Sequence, residues 1–351
     1  MWLRPGLLLP TCNSYQGSFD TYARAGYSQD DAIRLMRSSI TLAAEARGRY
    51  VTEADVPIDS IKIALSFAAY GASLPLPHEF DGYYPPPYGP KAYIYPPPDL
   101  TGPINRNAFH AGEITQETES EDVLAAYHLE RLRAYASDKE TWRAVDAIAF
   151  ETIPLAREVK AIRRAVAALE DELAPEDSLR KPWWVCICTI YPGGEIPEEH
   201  PGGGGGRLGA KDVLAAYFDD IPTATTIGPQ KGVRYAVPDA FGINCTATAH
   251  VASAVTAASD VLAETSVTRS SACCSEQPWL VLKPNGGQTY DMDTHKWGWY
   301  GGETRLQGDE WAEQLGNIVR SAVAKGVWGG ILVGGCCKAG EEELRSLSRA
   351  L

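Results

Sequence analysis

The sequence predicts an α/β fold built on a parallel sheet that closes into a barrel of the (β/α)8 TIM type. Three observations carry this. Short apolar runs alternate with amphipathic helical patterns along the whole chain, the order that a parallel sheet with crossover helices requires. Seven such runs are present, one short of the common closed barrel. Glu151, Cys245, Asn285, Cys336 and Cys337 all fall at the C-terminal ends of these runs, and in a barrel those ends meet in one mouth.

Taken in order, residues 7–13 read as a short buried strand. Ser28 caps a helix over 29–47, whose apolar face carries Ala32, Ile33, Met36, Ile40, Ala43 and Ala44. Residues 61–66 form the next strand. A Pro- and Tyr-rich insertion follows at 75–112. Its runs at 85–87 and 96–98 are all proline and cannot continue a helix or a central strand, so an extended loop is expected, of the length that serves as a lid or stays disordered. A helix spans 121–137. The strand 147–150 leads into Glu151 and Pro154, and a helix runs over 155–173.

Residues 183–190 form the fourth strand, on which Cys186 and Cys188 share one face and read as core. The connection 193–206 is glycine-rich. It lacks the Lys-Ser/Thr of a phosphate-cradling loop and the spacing of a dinucleotide fingerprint, so a flexible linker is expected. The strand 241–245, the helix 249–263 with His250, and the strand 279–283 come next. The loop after Lys283 begins Pro-Asn-Gly-Gly and carries Tyr290, Trp297, Trp299 and Tyr300. A helix over 310–324, a strand over 330–335 and a closing helix over 341–351 complete the chain, which reads as one barrel domain over 1–351.

The composition narrows the partners. With 351 residues and 44% hydrophobic content the chain supports an ordinary globular core. A formal charge of -13 excludes long-range attraction to nucleic acid or to an anionic membrane, which leaves a small-molecule partner. No apolar run approaches the roughly 20 residues of a membrane span. The N-terminal apolar stretch is interrupted by Arg4, Pro5 and Gly6, so no signal peptide is expected and the cytoplasm is the expected location. Eight cysteines in a chain of this length are too sparse for a disulfide scaffold and imply a reducing compartment.

Three of those cysteines point to a metal. Neighbouring side chains on a strand face opposite ways, so Cys336 and Cys337 converge on one atom only where the strand has ended and the backbone turns; Gly334 and Gly335 permit that turn. Cys245, ending another strand, makes a third thiolate and leaves one tetrahedral position open, the pattern of a catalytic Zn2+. The opposing reading is three buried cysteines acting as small apolar residues. Cys273 and Cys274 sit in a polar stretch with no strand before it and read as a surface loop.

The motifs form a recognisable series: Tyr15-Gln16, Gly26-Tyr-Ser28, Tyr70-Gly-Ala72, Phe150-Glu-Thr-Ile-Pro154 with Glu158, Gly242-Ile-Asn-Cys245, Lys283-Pro-Asn-Gly-Gly287 and Gly334-Gly-Cys-Cys337. In content and order this resembles the zinc-dependent homocysteine S-methyltransferases, over essentially the whole chain. The resemblance implies an eight-stranded barrel, Zn2+ on Cys245, Cys336 and Cys337, and methyl transfer from a sulfonium donor, S-methylmethionine or S-adenosylmethionine, to homocysteine, giving methionine. It implies that Glu151 meets the homocysteine ammonium, that Asn244 belongs to the substrate site, and that Tyr70 and Asn285 line the donor site.

Two departures from the family pattern shape the expectations. The first strand of the family, with its Asp-Gly-Gly turn, has no counterpart, so the barrel is expected to lack that strand and to expose two sheet edges. After Cys337, Lys338-Ala-Gly-Glu341 stands where the family carries a Thr, Pro and His cluster. The alternative expectation is therefore an N-terminally truncated, catalytically impaired relative that retains zinc or thiol binding.

Overall fold

The computed structural model describes residues 8–95, 104–173, 180–188, 191, 194–201, 205–218, 221, 230, 232–265, 277–291, 296–298 and 308–351. In chain order the helices are α1 (Phe19–Arg24), α2 (Gln29–Glu53), α3 (Ile114–Ala136), α4 (Lys139–Ala144), α5 (Ala156–Leu173), α6 (Ala210–Tyr217), α7 (Thr248–Glu264), α8 (Gly308–Lys325) and α9 (Glu341–Ala350). The strands are β1 (Ala64–Ala68), β2 (Ala147–Ile153), β3 (Trp183–Ile187), β4 (Ala240–Asn244), β5 (Trp279–Lys283), β6 (Thr289–Asp291), β7 (Lys296–Gly298) and β8 (Ile331–Val333). Six of them form one sheet in the order β1-β2-β3-β4-β5-β8, with every pair parallel.

Side-chain alternation sorts this sheet into two faces. Leu65, Phe67, Ile148, Phe150, Val185, Phe241, Ile243, Leu280 and Leu282 point to the helices and share one apolar cluster with Met36, Ile40, Val159, Ile162, Val251 and Trp311. Each such side chain fully buried is worth about 1.5–3 kcal/mol. The other face lines the barrel interior, where Ala64, Ala147, Ala149 and Ala240 make room for Trp184, Cys186 and Val281. Both faces are thus covered, and this is why strands β1 to β4 read as continuous apolar runs rather than alternating ones. Cys186 and Cys188 are fully buried, and a Cβ at Gly242 would lie 2.3 Å from the Cys186 sulfur.

A seventh strand-like segment, 8–11, lies parallel to the start of β1 through bridges at Leu8 and Thr11. It forms one edge of the sheet and β8 the other; among the described residues no backbone hydrogen bond joins them. The expectation of a buried strand over 7–13 is corrected by this edge position: Leu8 is 52% exposed and Cys12 is the apolar residue of the segment that is buried. At the neighbouring strand ends, the fully buried Arg131 of α3 donates to the carbonyls of Tyr15, Gly17 and Ala68 at 2.9–3.0 Å, fixing the loop that enters the mouth.

Several boundaries differ from expectation. The strand expected over 61–66 runs from Ala64 to Ala68, and α3 begins seven residues before the expected start at Glu121. Helix α6 follows the glycine-rich connection, part of which lies outside the described residues, and the short antiparallel pair β6-β7 occupies the loop read as irregular. Within the 75–112 insertion the described residues form turns, with neither an α-helix nor a strand. The insertion is docked on the barrel by buried polar groups. Glu158 of α5 accepts from the Tyr70 N–H at 2.7 Å and from the Tyr84 hydroxyl at 2.6 Å, while Asn107 Nδ2 donates to the Pro197 carbonyl at 2.8 Å.

Candidate metal centre

Cys245 follows β4, and Cys336 and Cys337 follow β8 by two glycines. Their three sulfur atoms all lie within 4.8 Å of one another. Cys245 Sγ is 2.7 Å from Cys336 Sγ and 3.6 Å from Cys337 Sγ, and all three are free thiols. The backbone bends sharply to achieve this. Cys245 has φ 49, Lys338 just after the pair has φ 64, and Thr152 after Glu151 has φ 61. Left-handed backbone is disfavoured for residues with a Cβ, most of all β-branched ones, and it survives where the surroundings over-determine it.

Those surroundings are the loop after β5. Asn285 N–H donates to the Thr246 carbonyl at 2.9 Å, Gly286 N–H to the Cys337 carbonyl at 2.9 Å, and Cys336 N–H to the Pro284 carbonyl at 2.8 Å. Residues 284–286 therefore clasp both cysteine-bearing loops. Glycine is required in this clasp: a Cβ at Gly286 would sit 2.0 Å from the Lys338 carbonyl oxygen. Within the motif Lys283-Pro-Asn-Gly-Gly287, residues 284–286 act here through their backbone.

The donor set fits a soft divalent cation. Three thiolates on a Zn2+ with bonds of about 2.3 Å stand about 3.8 Å apart, close to the Cys245–Cys337 spacing. Crowded together, the thiols resist joint ionisation. Hydrogen bonds donated to Cys336 and then Cys337, together with burial, push the Cys245 thiol up, while hydrogen bonds from Cys245 and then Cys336 hold Cys337 low. A central cation is what removes that conflict.

A cavity of about 550 Å³ opens beside the thiols, lined among others by Tyr15, Ser66, Glu79, Asp81, Glu151 and Asn244. Glu151 is 8% exposed and forms an ion pair with Lys283 from the end of β5, while its second oxygen accepts from Ser66 Oγ at 3.2 Å. Burial draws the Lys283 ammonium down to about 8, against the opposing pull of Cys336. Asn244 borders the cavity and clamps Thr152, accepting from its N–H at 2.8 Å and donating to its hydroxyl at 2.9 Å.

The structure thus brings Cys245, Cys336, Cys337, Glu151 and Asn244 to one cavity. Tyr70 and Asn285 are elsewhere. Tyr70 stacks on Tyr88 at 3.9 Å between the barrel and the insertion, and Asn285 is buried, with its carbonyl accepting from Trp311 Nε1 at 2.8 Å. Cys273, Cys274, Trp299 and Tyr300 lie outside the described residues. Two residues escaped the sequence reading. Lys283 ends an apolar strand as an ordinary boundary residue would, and Glu79 lies inside a proline-rich insertion with no pattern that marks its charge.

Comparison with known proteins places this arrangement. A family model described as homocysteine S-methyltransferase matches residues 2–351. The homocysteine S-methyltransferase YbgG of Bacillus subtilis is 26% identical, the match covering 95% of this chain and 76% of that protein. Homocysteine S-methyltransferase 4 of Zea mays is 24% identical, over 96% of this chain and 73% of its own. Among solved structures, the metallated form of the homocysteine methyltransferase MmuM of Escherichia coli superposes with a TM-score of 0.58 at 20% identity, covering 99% of this chain and 80% of that one. The fold is accordingly an α/β fold of the TIM-barrel type.

Proposed function

The chain belongs to the homocysteine S-methyltransferase family, and on that premise we propose that it transfers a methyl group from a sulfonium donor, S-methylmethionine or S-adenosylmethionine, to the sulfur of homocysteine, giving methionine. The observation that carries this reading is the convergence of three thiols at the edge of an internal cavity. Cys245, Cys336 and Cys337 would hold one Zn2+. When bound, zinc supplies the Lewis acidity that turns an incoming thiol, with a free pKa of about 8.5, into a nucleophilic thiolate at neutral pH.

The rest of the chemistry asks little of the protein. A sulfonium donor leaves as a neutral thioether, so no general acid is needed, and the residues act by holding donor and acceptor in line, an effect that can supply several kcal/mol. Glu151 offers its carboxylate to the homocysteine ammonium. Lys283, already beside it, is the cation to meet the carboxylate of the same amino acid, so a zwitterionic substrate exchanges partners with a preformed ion pair. Asn244 holds the backbone turn at Thr152 next to Glu151. Tyr70 and Asn285 act on this reading through the walls they support. We place the enzyme in the cytoplasm, in keeping with its free thiols; no described helix is long and apolar enough to cross a membrane.

Among the described residues β8 is paired along one side, and this favours a second reading, in which the chain keeps zinc or thiol binding but turns over poorly. One experiment separates the two. Protein purified without chelator should contain about one zinc per chain, lost on Cys336→Ala, and should form methionine from homocysteine and S-methylmethionine. Zinc without turnover selects the second reading, and absence of zinc overturns the first.

A further inference from the structure

Three carboxylates line the cavity beside the thiols, and two are committed. Glu151 is paired with Lys283 and Ser66, and Asp81 lies 2.9 Å from His78 Nδ1 and accepts from the Tyr83 N–H at 3.2 Å. Glu79 is different. Its Oε2 is buried and has no hydrogen-bond partner, and it stands in the wall of the cavity that holds the three thiols. Its main chain is fixed by contact with the barrel, since its carbonyl accepts from the buried Cys188 sulfur at 3.6 Å. Burial first, and the negative charges of Cys336 and Asp81 after it, push the Glu79 carboxyl up to about 7. A half-buried carboxylate with one buried oxygen left unpaired in the wall of a cavity is satisfied by a cationic ligand entering that cavity.

We propose that Glu79 is the residue that selects the sulfonium donor by placing its carboxylate against the positive sulfur. The inference rests on the methyl-transfer reading above and deepens it. Of the two cations a donor amino acid brings, its ammonium has three N–H groups and is served by hydrogen-bond acceptors, whereas a sulfonium has none to give and is recognised by charge and surface alone. A carboxylate oxygen without a hydrogen-bonded neighbour suits the second.

In the reaction, the electron pair of the homocysteine thiolate forms the new S–CH3 bond while the old S–CH3 pair stays with the leaving sulfur. The donor's positive charge disappears with it. Glu79 then loses its ligand just as the product becomes a neutral thioether, which favours release. Because that charge is already fading in the transition state, Glu79 serves the bound donor more than the chemical step, and its loss is expected in KM rather than in kcat.

The test compares two ligands that differ by one methyl group and one charge. Binding of S-methylmethionine, methionine and homocysteine to the zinc-loaded protein is measured by calorimetry for the wild type, Glu79→Gln and Glu79→Asp. The expected result is that Glu79→Gln weakens S-methylmethionine about tenfold or more, leaves methionine and homocysteine unchanged, and raises the KM for the donor by the same factor. Glu79→Asp, which keeps the charge, should retain part of the preference. Equal weakening of S-methylmethionine and methionine would assign Glu79 to the ammonium and overturn the proposal, as would no change in either. If the wild type binds homocysteine but no sulfonium, the donor reading itself fails, and the Glu79 assignment fails with it.

Discussion

Asn244 and Thr152, at the ends of β4 and β2, hold each other by two hydrogen bonds that run in opposite directions, one to the backbone and one between side chains: Thr152 N–H donates to Asn244 Oδ1 at 2.8 Å, and Asn244 Nδ2 donates to Thr152 Oγ1 at 2.9 Å. β3 lies between them in the sheet, so the contact bridges across the barrel mouth. It secures a left-handed threonine next to Glu151 and, one residue on from Asn244, a left-handed cysteine.

Replacing Asn244 by Ala strands a buried N–H and frees both turns. We expect a loss of about 2–3 kcal/mol in urea unfolding and zinc affinity weaker by roughly 10- to 100-fold, the usual effect of removing a group that orients a metal ligand. Chelator competition reads the second quantity. Wild-type affinity in the variant would show that Cys245 is positioned without this clamp.

The Glu151–Lys283 pair is shielded from water, with side chains 10% and 14% exposed. Lys283→Met leaves a buried carboxylate without its partner and is expected to cost about 3 kcal/mol or more, whereas the double variant Glu151→Gln/Lys283→Met should recover a good part of that. Denaturant midpoints for the two singles and the double form the cycle. Strict additivity would mean that the two charges do not depend on each other.

Gly286→Ala tests the clasp. With a Cβ 2.0 Å from the Lys338 carbonyl, the loop carrying Cys336 and Cys337 must move, and no flexible side chain is there to give way. Zinc content should fall well below one per chain while the far-UV spectrum is kept. A fully loaded variant would refute the close approach.

Glu117, on α3, is pushed up to about 7 by burial and then by the charge of Glu198. Its carboxyl keeps a proton in the folded chain between about pH 4.5 and 7, where the unfolded chain has released it, so the folded state binds more protons and stability falls as pH rises through that window. Glu117→Gln should remove part of this fall, raising stability at pH 8 by about 1 kcal/mol after allowance for its partial exposure, and changing little at pH 4. Melting temperatures at the two pH values decide it; an equal shift at both would exclude the ionisation as the cause.

The strands of the barrel were legible because their signal is local. β5 falls on the expected residues 279–283, and the Ser28 cap is where its side chain required it, with Ser28 Oγ accepting from the Asp31 N–H at 3.2 Å. The three cysteines were legible because adjacent thiols after two glycines have few other uses. What the sequence hid is long-range. That Lys283 would pair with Glu151, 132 positions away along the chain, or that Glu79 would line the cavity of the thiols from a proline-rich insertion, depends on how barrel ends are assembled and leaves no mark in local periodicity. Tyr70 shows the reverse: a motif residue whose ring lies among Tyr84, Tyr88 and Tyr127 rather than in the cavity wall.

β8 contributes three residues, is only partly buried and, among the described residues, is paired along one side. The two cysteines that follow it meet a third just after β4, two strands inward, so a metal held by all three would tie the outermost described strand back to the middle of the sheet. Without that tie, the outer side of β8, unpaired among the described residues, would present N–H and C=O groups onto which another chain can add. Metal depletion would then be felt first as loss of solubility, and an ion held by the three thiols would double as a guard against self-association.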